Sequence, residues 1–355
     1  MTLGRSNAEP FVAAEVEAVR TAAGAYEIAQ YARYEVTGPE AEAWLDRLLA
    51  SRLPEVGRIR LAPMLGERGR LMGDLTVTRL DEDRFWLTGS YHLQDWHLRW
   101  FLAHLPERGV ELRNVTDAWM GFSISGPNAR RILATLTSED VSNEAFPFLS
   151  VRRMDVGSAR AVVGRISFTG ELGYELVVPV LHHRTLWCEL REAGDEHGLR
   201  PIGDRALDSP APREGVRDLV PRVPAGRDPG DVRPSTATSP STRVPSSAAR
   251  PRSREREVGP DRRLALLEVE AGDADAAMDD GRVARRSARG ARDLGRLRAP
   301  RGDEPRPRVP GGGGRRGGGL RGRPPSSRWW SSARGRRARV LPEPPYDPTG
   351  SRLRS

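Results

Sequence analysis

Two short segments of this 355-residue chain hold residue types that could do chemistry. Asp74 stands in GRLMGDLTVTRL, near the start of an apolar stretch that follows a glycine turn. A carboxylate there needs a partner or a ligand, because burying it unpaired is costly. The alternative is a strand-edge Asp that caps the turn. The second segment, Ser167–Glu175 (SFTGELGYE), sets two glycines and two glutamates around a tight turn. Glu171 falls in the turn and Glu175 returns to the strand beyond Gly173; an ordinary hairpin with solvated acids has the same spacing. His92, His97 and His104 share one predicted helix, but the i, i+4 spacing of a helical metal pair is missing, so they read as surface or core histidines. Cys188, inside TLWCELRE, reads as a packed thiol. There is no Gly-x-Ser-x-Gly elbow and no P-loop. Gly312-x-Gly314-x-x-Gly317 fits a dinucleotide pattern in letters alone, since GGGGRRGGG has no strand before it and no helix after.

The elements that would position these residues are legible over the first two hundred positions. Helices are predicted at Ala14–Ala23, Glu40–Ala50, Tyr91–Leu105, Asn128–Leu136 and His183–Gly194 from apolar spacing. Strands are predicted at Tyr34–Thr37, Gly57–Leu65, Leu71–Leu80, Phe85–Thr88, Gly121–Ser125, Ala161–Ser167 and Tyr174–Pro179, with turns at Gly66–Gly69, Asp81–Arg84 and Thr169–Gly173. Strands and helices in mixed runs predict an α+β fold.

Composition breaks near residue 209. Residues 1–209 carry 24 Arg and 30 acids, whereas 210–355 carry 33 Arg and 18 acids. All seven Phe, all six His and every Ile lie in the first part, and 20 of the 29 Pro in the second. Lys is absent throughout. The first part reads as globular and the second has the composition of disorder. One Cys excludes a disulfide framework and any Cys-cluster metal site. No apolar run approaches a membrane span, and the acidic opening lacks the stretches of a signal peptide, so a cytoplasmic protein is expected.

YEVTGPEAEAWLDRLL, the meander with GDLTVTRL, GFSISGPNARRIL, RISFTGELGYELVVP and GLRPIGDRALDS follow one another in this order. Together they resemble the aminomethyltransferase (glycine-cleavage T-protein) family over about residues 10–209. DWHLRWFLAHL and FPFLSVRRMDVG are most similar to the folate-binding half of dimethylglycine and sarcosine dehydrogenases, whose FAD domain has no counterpart in this chain. The resemblance implies one-carbon transfer to tetrahydrofolate from an amine-derived donor, with a separate FAD oxidase subunit as a partner. It implies that Asp74 steers the attacking nitrogen, that Glu175 accepts hydrogen bonds from the pterin edge, and that Phe168 and Tyr174 lie at the folate. Phe168 stands where the family often has Tyr, so stacking is retained without a hydroxyl contact.

The family pattern stops at ALDS. Read one base later, the codons permitted for Pro210–Val220 allow LRLEKGYGTW, the string the family requires next. The same shift over Leu297–Gly311 allows YGHRVG followed by a strand. The expected organisation is therefore a folate-binding domain at 1–209, disordered out-of-frame stretches at 210–260 and 276–335, and remnants of an incomplete C-terminal β-barrel at 261–275 and 336–355. A folate-binding protein without the transferase step would share these features. A nucleic-acid-binding protein is the reading of a different class, suggested by the Arg-rich tail. That tail lacks RGG periodicity and has Trp329, Trp330 and Tyr346 as its only aromatics, so neither nucleic acid nor a membrane is an expected partner.

Overall fold

The computed structural model describes residues 7–29, 31–66 and 71–208, with the short stretches 266–269, 282–284, 327–331, 334–341 and 351–354. Two compact units divide the chain, one of Asn7–Pro260 with Glu343–Ser355 and one of Met1–Ser6 with Asp261–Pro342.

The larger unit is a mixed α/β fold built on two sheets. In chain order its elements are α1 (Glu9–Thr21), β1 (Ala23–Glu27), β2 (Tyr31–Thr37), α2 (Ala41–Leu48), β3 (Arg58–Leu65), β4 (Leu71–Asp81), β5 (Arg84–Ser90) and α3 (Gln94–Ala103). Then come β6 (Glu111–Asn114), β7 (Trp119–Ser125), α4 (Ala129–Leu136), β8 (Val151–Val156), β9 (Ala159–Gly164), β10 (Gly173–Pro179), α5 (His183–Asp195), β11 (Leu199–Pro201) and α6 (Asp204–Asp208). One sheet has the order β3-β4-β5-β2-β6, the other β11-β1-β7-β10-β9-β8. Every pairing in them is antiparallel except β1 with β11.

Period-2 alternation decides which side chains meet. On the first sheet Tyr34, Val36, Leu75, Val77, Phe85 and Leu87 turn outward against α2 and α3. On the second, Phe122, Ile124, Tyr174, Leu176 and Val178 turn outward against α4 and α5. A third cluster takes Ile59, Trp86 and Leu80 from the first sheet and Tyr26, Val162, Val177 and Trp119 from the second. The inner faces therefore pack on each other, with Trp86 edge-on to Trp119 at 4.9 Å between ring centres. Burial of this apolar area is the main cohesive term.

β1 is a strand the sequence conceals, since Ala23-Gly24-Ala25 has poor strand propensity and continues a helical pattern. It forms because β7 and β11 flank it on both sides. Gly24 is required there: a Cβ would stand 2.5 Å from Val19 Cγ2.

The smaller unit carries β12 (Leu266–Val269), β13 (Arg282–Ala284), β14 (Ser327–Ser331) and β15 (Arg334–Leu341) in one antiparallel sheet of order β12-β15-β14-β13. β13 and β14 fall inside 276–335, and the rest of that stretch, like 210–260, lies outside the described residues. So does the turn expected at Gly66–Gly69, beyond Gly66 itself.

Candidate functional site

Asp74 sits on β4 opposite Pro63 and is half-buried. Leu75 and Val77 point outward into the helix-covered core, so Asp74, Thr76 and Thr78 share the inner face. The register aligns Thr76, Thr88 and Arg33 in one row across β4, β5 and β2. Asp74 lies one row along and two strands across from Arg33, roughly 7 Å and roughly 10 Å in sheet spacings.

The turn before β10 is a buried polar knot. Ser125 Oγ and Ser167 Oγ are 3.3 Å apart, and Ser167 Oγ and Thr169 Oγ1 are 3.0 Å apart. The Thr169 N–H donates to Ser167 Oγ, and the Glu171 N–H donates to Thr169 Oγ1. Gly170, at φ +82°, supplies the left-handed residue the turn needs. Glu171 is not the solvated acid the hairpin reading expected. It is 3% exposed, and Arg20 of α1 donates to it at 2.6 Å, with Arg352 at 3.4 Å. A carboxylate enclosed this far needs such cations.

Phe168 is half-buried and packs on the cluster between the sheets. Tyr174 points to the other face of its strand. It is fully buried on the outward face of β10, packs near-parallel to Phe146, and its hydroxyl accepts from Arg130 Nε at 3.2 Å. Adjacent residues on a strand point to opposite faces, so Tyr174 and Glu175 cannot share a ligand-facing surface.

Glu175 occupies the inner face of the second sheet, opposite Ser123 on β7 and Gly164 on β9. It is half-buried, and its carboxylate makes no hydrogen bond among the described residues. Burial pushes its carboxyl above the ordinary carboxylate range, and the charge of Arg33 pulls it back. Arg33 is 2% exposed. Its Nη1 donates to the Trp119 carbonyl at 3.0 Å, while Nη2 is buried without a hydrogen-bond partner among the described residues. Burial lowers the Arg33 pKa and Glu175 raises it. Arg33 is a residue the sequence reading missed, because the predicted strand begins one residue later at Tyr34. The signal was an arginine amid the alternation of YARYEVT, on the face opposite Tyr34 and Val36.

His97 is fully buried on α3, with both ring nitrogens unbonded among the described residues. It lies against Gly73 and Gly89, where a Cβ on Gly73 would stand 2.6 Å from Nε2. Burial lowers its pKa to about 4, so it is neutral at pH 7. His104 is exposed and holds the Trp100 carbonyl at 2.8 Å through Nδ1. Cys188 is exposed, not packed: on α5 the buried residues are Leu186, Leu190 and Gly194, and Cys188 lies on the other side of the helix from Leu186 and Leu190.

The ordered motifs, the two facing sheets and the carboxylate on each agree with a family comparison. Residues 4–212 match the model of the GCVT N-terminal domain. The chain belongs to this GCVT family. Its relatives include the alpha subunit of sarcosine oxidase from Rhizobium meliloti, 37% identical over 208 residues, covering 54% of this chain and 20% of that protein. Mouse mitochondrial dimethylglycine dehydrogenase is 36% identical over 203 residues, covering 56% of this chain and 23% of the relative. The aminomethyltransferase of Halalkalibacterium halodurans is 32% identical over 197 residues, covering 55% of this chain and 53% of its own length. The chain thus spans about a fifth to a half of the length of these relatives. The glycine cleavage system aminomethyltransferase T from Bartonella henselae has the same fold, with a TM-score of 0.63 at 22% identity over 73% of this chain and 70% of that one. Among the described residues no helix is long and apolar enough to cross a membrane.

Proposed function

We propose that the chain is a one-carbon transfer module that uses tetrahydrofolate and takes its carbon from an amine-derived donor. The observation that carries this reading is Glu175: a half-buried acceptor with no hydrogen bond among the described residues, on an inner face that Phe168 also lines. A carboxylate in that condition suits a ligand edge with adjacent N–H donors, and a pterin has such an edge. Glu175 would hold that edge and Phe168 would pack on the ring. Tetrahydrofolate, when bound, supplies the nitrogens that take up the one-carbon unit. Asp74, on the inner face of the other sheet, would orient the attacking nitrogen and stabilise charge that develops there. Tyr174 serves packing in this scheme.

The donor reading draws on the relatives named sarcosine oxidase subunit alpha and dimethylglycine dehydrogenase, and a separate flavoenzyme subunit is the proposed source of the carbon. We also read 210–260 and 276–335 as out-of-frame translation, on their composition and on the shifted strings; resequencing the gene decides this, and a clean read of the present frame would refute it. The functional test is formation of one-carbon-loaded folate by the full chain when a sarcosine- or dimethylglycine-oxidising flavoenzyme feeds it. Asp74→Asn should slow that transfer by about 100-fold or more with little change in folate affinity. Equal turnover by the variant would remove Asp74 from the chemistry.

A further inference from the structure

The inner face of β7 carries two serines, Ser123 and Ser125, whose hydroxyls meet different fates. Phe122 and Ile124 of that strand lie in the core under α4 and α5, so both serines turn towards the other sheet. Ser125 is 2% exposed, and its Oγ lies 3.3 Å from Ser167 Oγ in the polar knot before β10. Ser123 is 8% exposed, and its hydroxyl makes no hydrogen bond among the described residues. A hydroxyl buried this far ordinarily has a partner.

The register sets Ser123 directly opposite Glu175, with Tyr26 of β1 on its other side. Opposed side chains on one face of an antiparallel pair have Cβ atoms about 4.5–5.5 Å apart. The other positions around Glu175 on this face are filled or engaged. On β9 the place of a side chain at Gly164 is taken by Ile59, whose Cδ1 would stand 2.9 Å from a Cβ there. Along β10, a Cβ on Gly173 would stand 2.6 Å from Ser167 Cβ, and Val177 belongs to the apolar cluster between the sheets. Gly121, diagonal to Glu175 on β7, presents no side chain. Tyr26 donates its hydroxyl to Asp204 of α6. Arg165, the residue after Gly164, turns to the outward side, where Nη1 donates to the Phe146 carbonyl at 2.7 Å. Arg33 meets this sheet at the Trp119 carbonyl, opposite Pro179 and four residues along β10 from Glu175. Among these neighbours Ser123 alone brings a polar side chain with no hydrogen bond among the described residues.

We propose that Ser123 is a second ligand-binding residue, donating its hydroxyl to an acceptor that adjoins the N–H groups read by Glu175. The two side chains together suit a planar ring edge in the order acceptor, N–H, N–H. A pterin has such an edge, its ring carbonyl standing next to a ring N–H and an amino group. The inference therefore rests on the folate reading and deepens it by naming the ring atom that Ser123 takes. An ionised Glu175 is acceptor-only and repels the carbonyl, whereas a serine hydroxyl donates to it. Without Ser123 the carbonyl would leave water for the sheet with no donor in exchange, which is costly.

Three variants of the full chain, studied by calorimetric titration and urea denaturation, test this. Ser123→Ala should weaken tetrahydrofolate binding by about 5- to 10-fold, the size of one hydrogen bond. 6-Methyltetrahydropterin, which carries the ring without the glutamate tail, should lose the same factor. A loss confined to tetrahydrofolate would put the contact on the tail and refute the ring assignment. The urea midpoint should stay at the parent's value in Ser123→Ala and fall in Ser125→Ala, which breaks the contact with Ser167. A midpoint that falls as far in Ser123→Ala, or a Ser123→Ala chain that does not fold, would mean a hydroxyl engaged by the fold and overturns the proposal. If Ser123→Ala binds like the parent while Glu175→Gln binds more weakly, the Ser123 assignment fails and the folate reading stands. Binding of neither probe by the parent removes the folate reading and the Ser123 contact together.

Discussion

Glu171 and Glu175 are four residues apart in one motif, yet the fold treats them as opposites. Glu171 closes the turn, almost wholly buried, with Arg20 and Arg352 on its carboxylate. Glu175 stands on β10 only partly exposed, under the influence of the Arg33 charge, and with no donor bonded to it among the described residues. The difference teaches how to read acids in this fold. A carboxylate already supplied with donors is part of the scaffold, and one left with free acceptor capacity in an accessible recess is available to a ligand. His97 adds a third condition: its ring nitrogens also lack partners among the described residues, but it is sealed against Gly73 and Gly89, so it can answer to protons and not to a ligand.

The contrast can be broken first by stability. Glu171→Ala strands Arg20 without this partner, and the urea midpoint should fall by the equivalent of about 3 kcal/mol. That is the low end for a broken buried pair, because Arg20 keeps some contact with water. Glu175→Gln should lower the same midpoint much less, since no hydrogen bond among the described residues is lost and only the influence of its charge on Arg33 goes. Equal losses in the two variants would erase the distinction.

His97 predicts a pH effect of nearly the same size. Its pKa is about 4 in the fold against 6.5 for an ordinary histidine. Between those values the unfolded chain takes up a proton that the folded chain refuses, so stability falls as pH drops from 6.5 towards 4 and levels off below. The full effect is up to about 3 kcal/mol. In His97→Leu that part of the pH dependence should vanish from denaturation curves recorded at pH 7, 6, 5 and 4. An unchanged slope would mean other groups cause it.

Tyr174→Phe gives the smallest effect. Losing the hydrogen bond from Arg130 should cost about 1 kcal/mol of stability and leave folate affinity as it was. A variant that folds normally but loses affinity would return Tyr174 to the site.

Much of this was legible in the sequence, for physical reasons that differ by element. β3, β4 and β5 are legible because apolar residues recur along each and glycine or acidic turns bound them, so their pattern survives in the letters. Asp74 and Glu175 stood out because a carboxylate inside such a strand is a conflict that a solvated loop acid is not. Arg33 presents the same conflict on β2, but it fell just before the predicted strand, and its hydrogen-bond partner, the Trp119 carbonyl, is far along the chain. β1 was hidden because Gly24 answers to Val19 packing rather than to strand propensity. Glu171 was misread because the arginines that claim it lie near position 20 and near the C-terminus. Tyr174 belongs to the motif in sequence and to the outward core of β10 in space, a separation that period-2 alternation alone would have shown.

The central claim is that Glu175 is the acceptor that reads the folate, and calorimetric titration of tetrahydrofolate into the full chain and into Glu175→Gln tests it most directly. The account predicts saturable one-to-one binding by the parent and a loss of about 10- to 100-fold in the variant, the worth of hydrogen bonds to a charged acceptor. That loss should appear in a variant that still unfolds cooperatively. Binding of equal strength by the two chains, or no binding by the parent at pH 7, would contradict it.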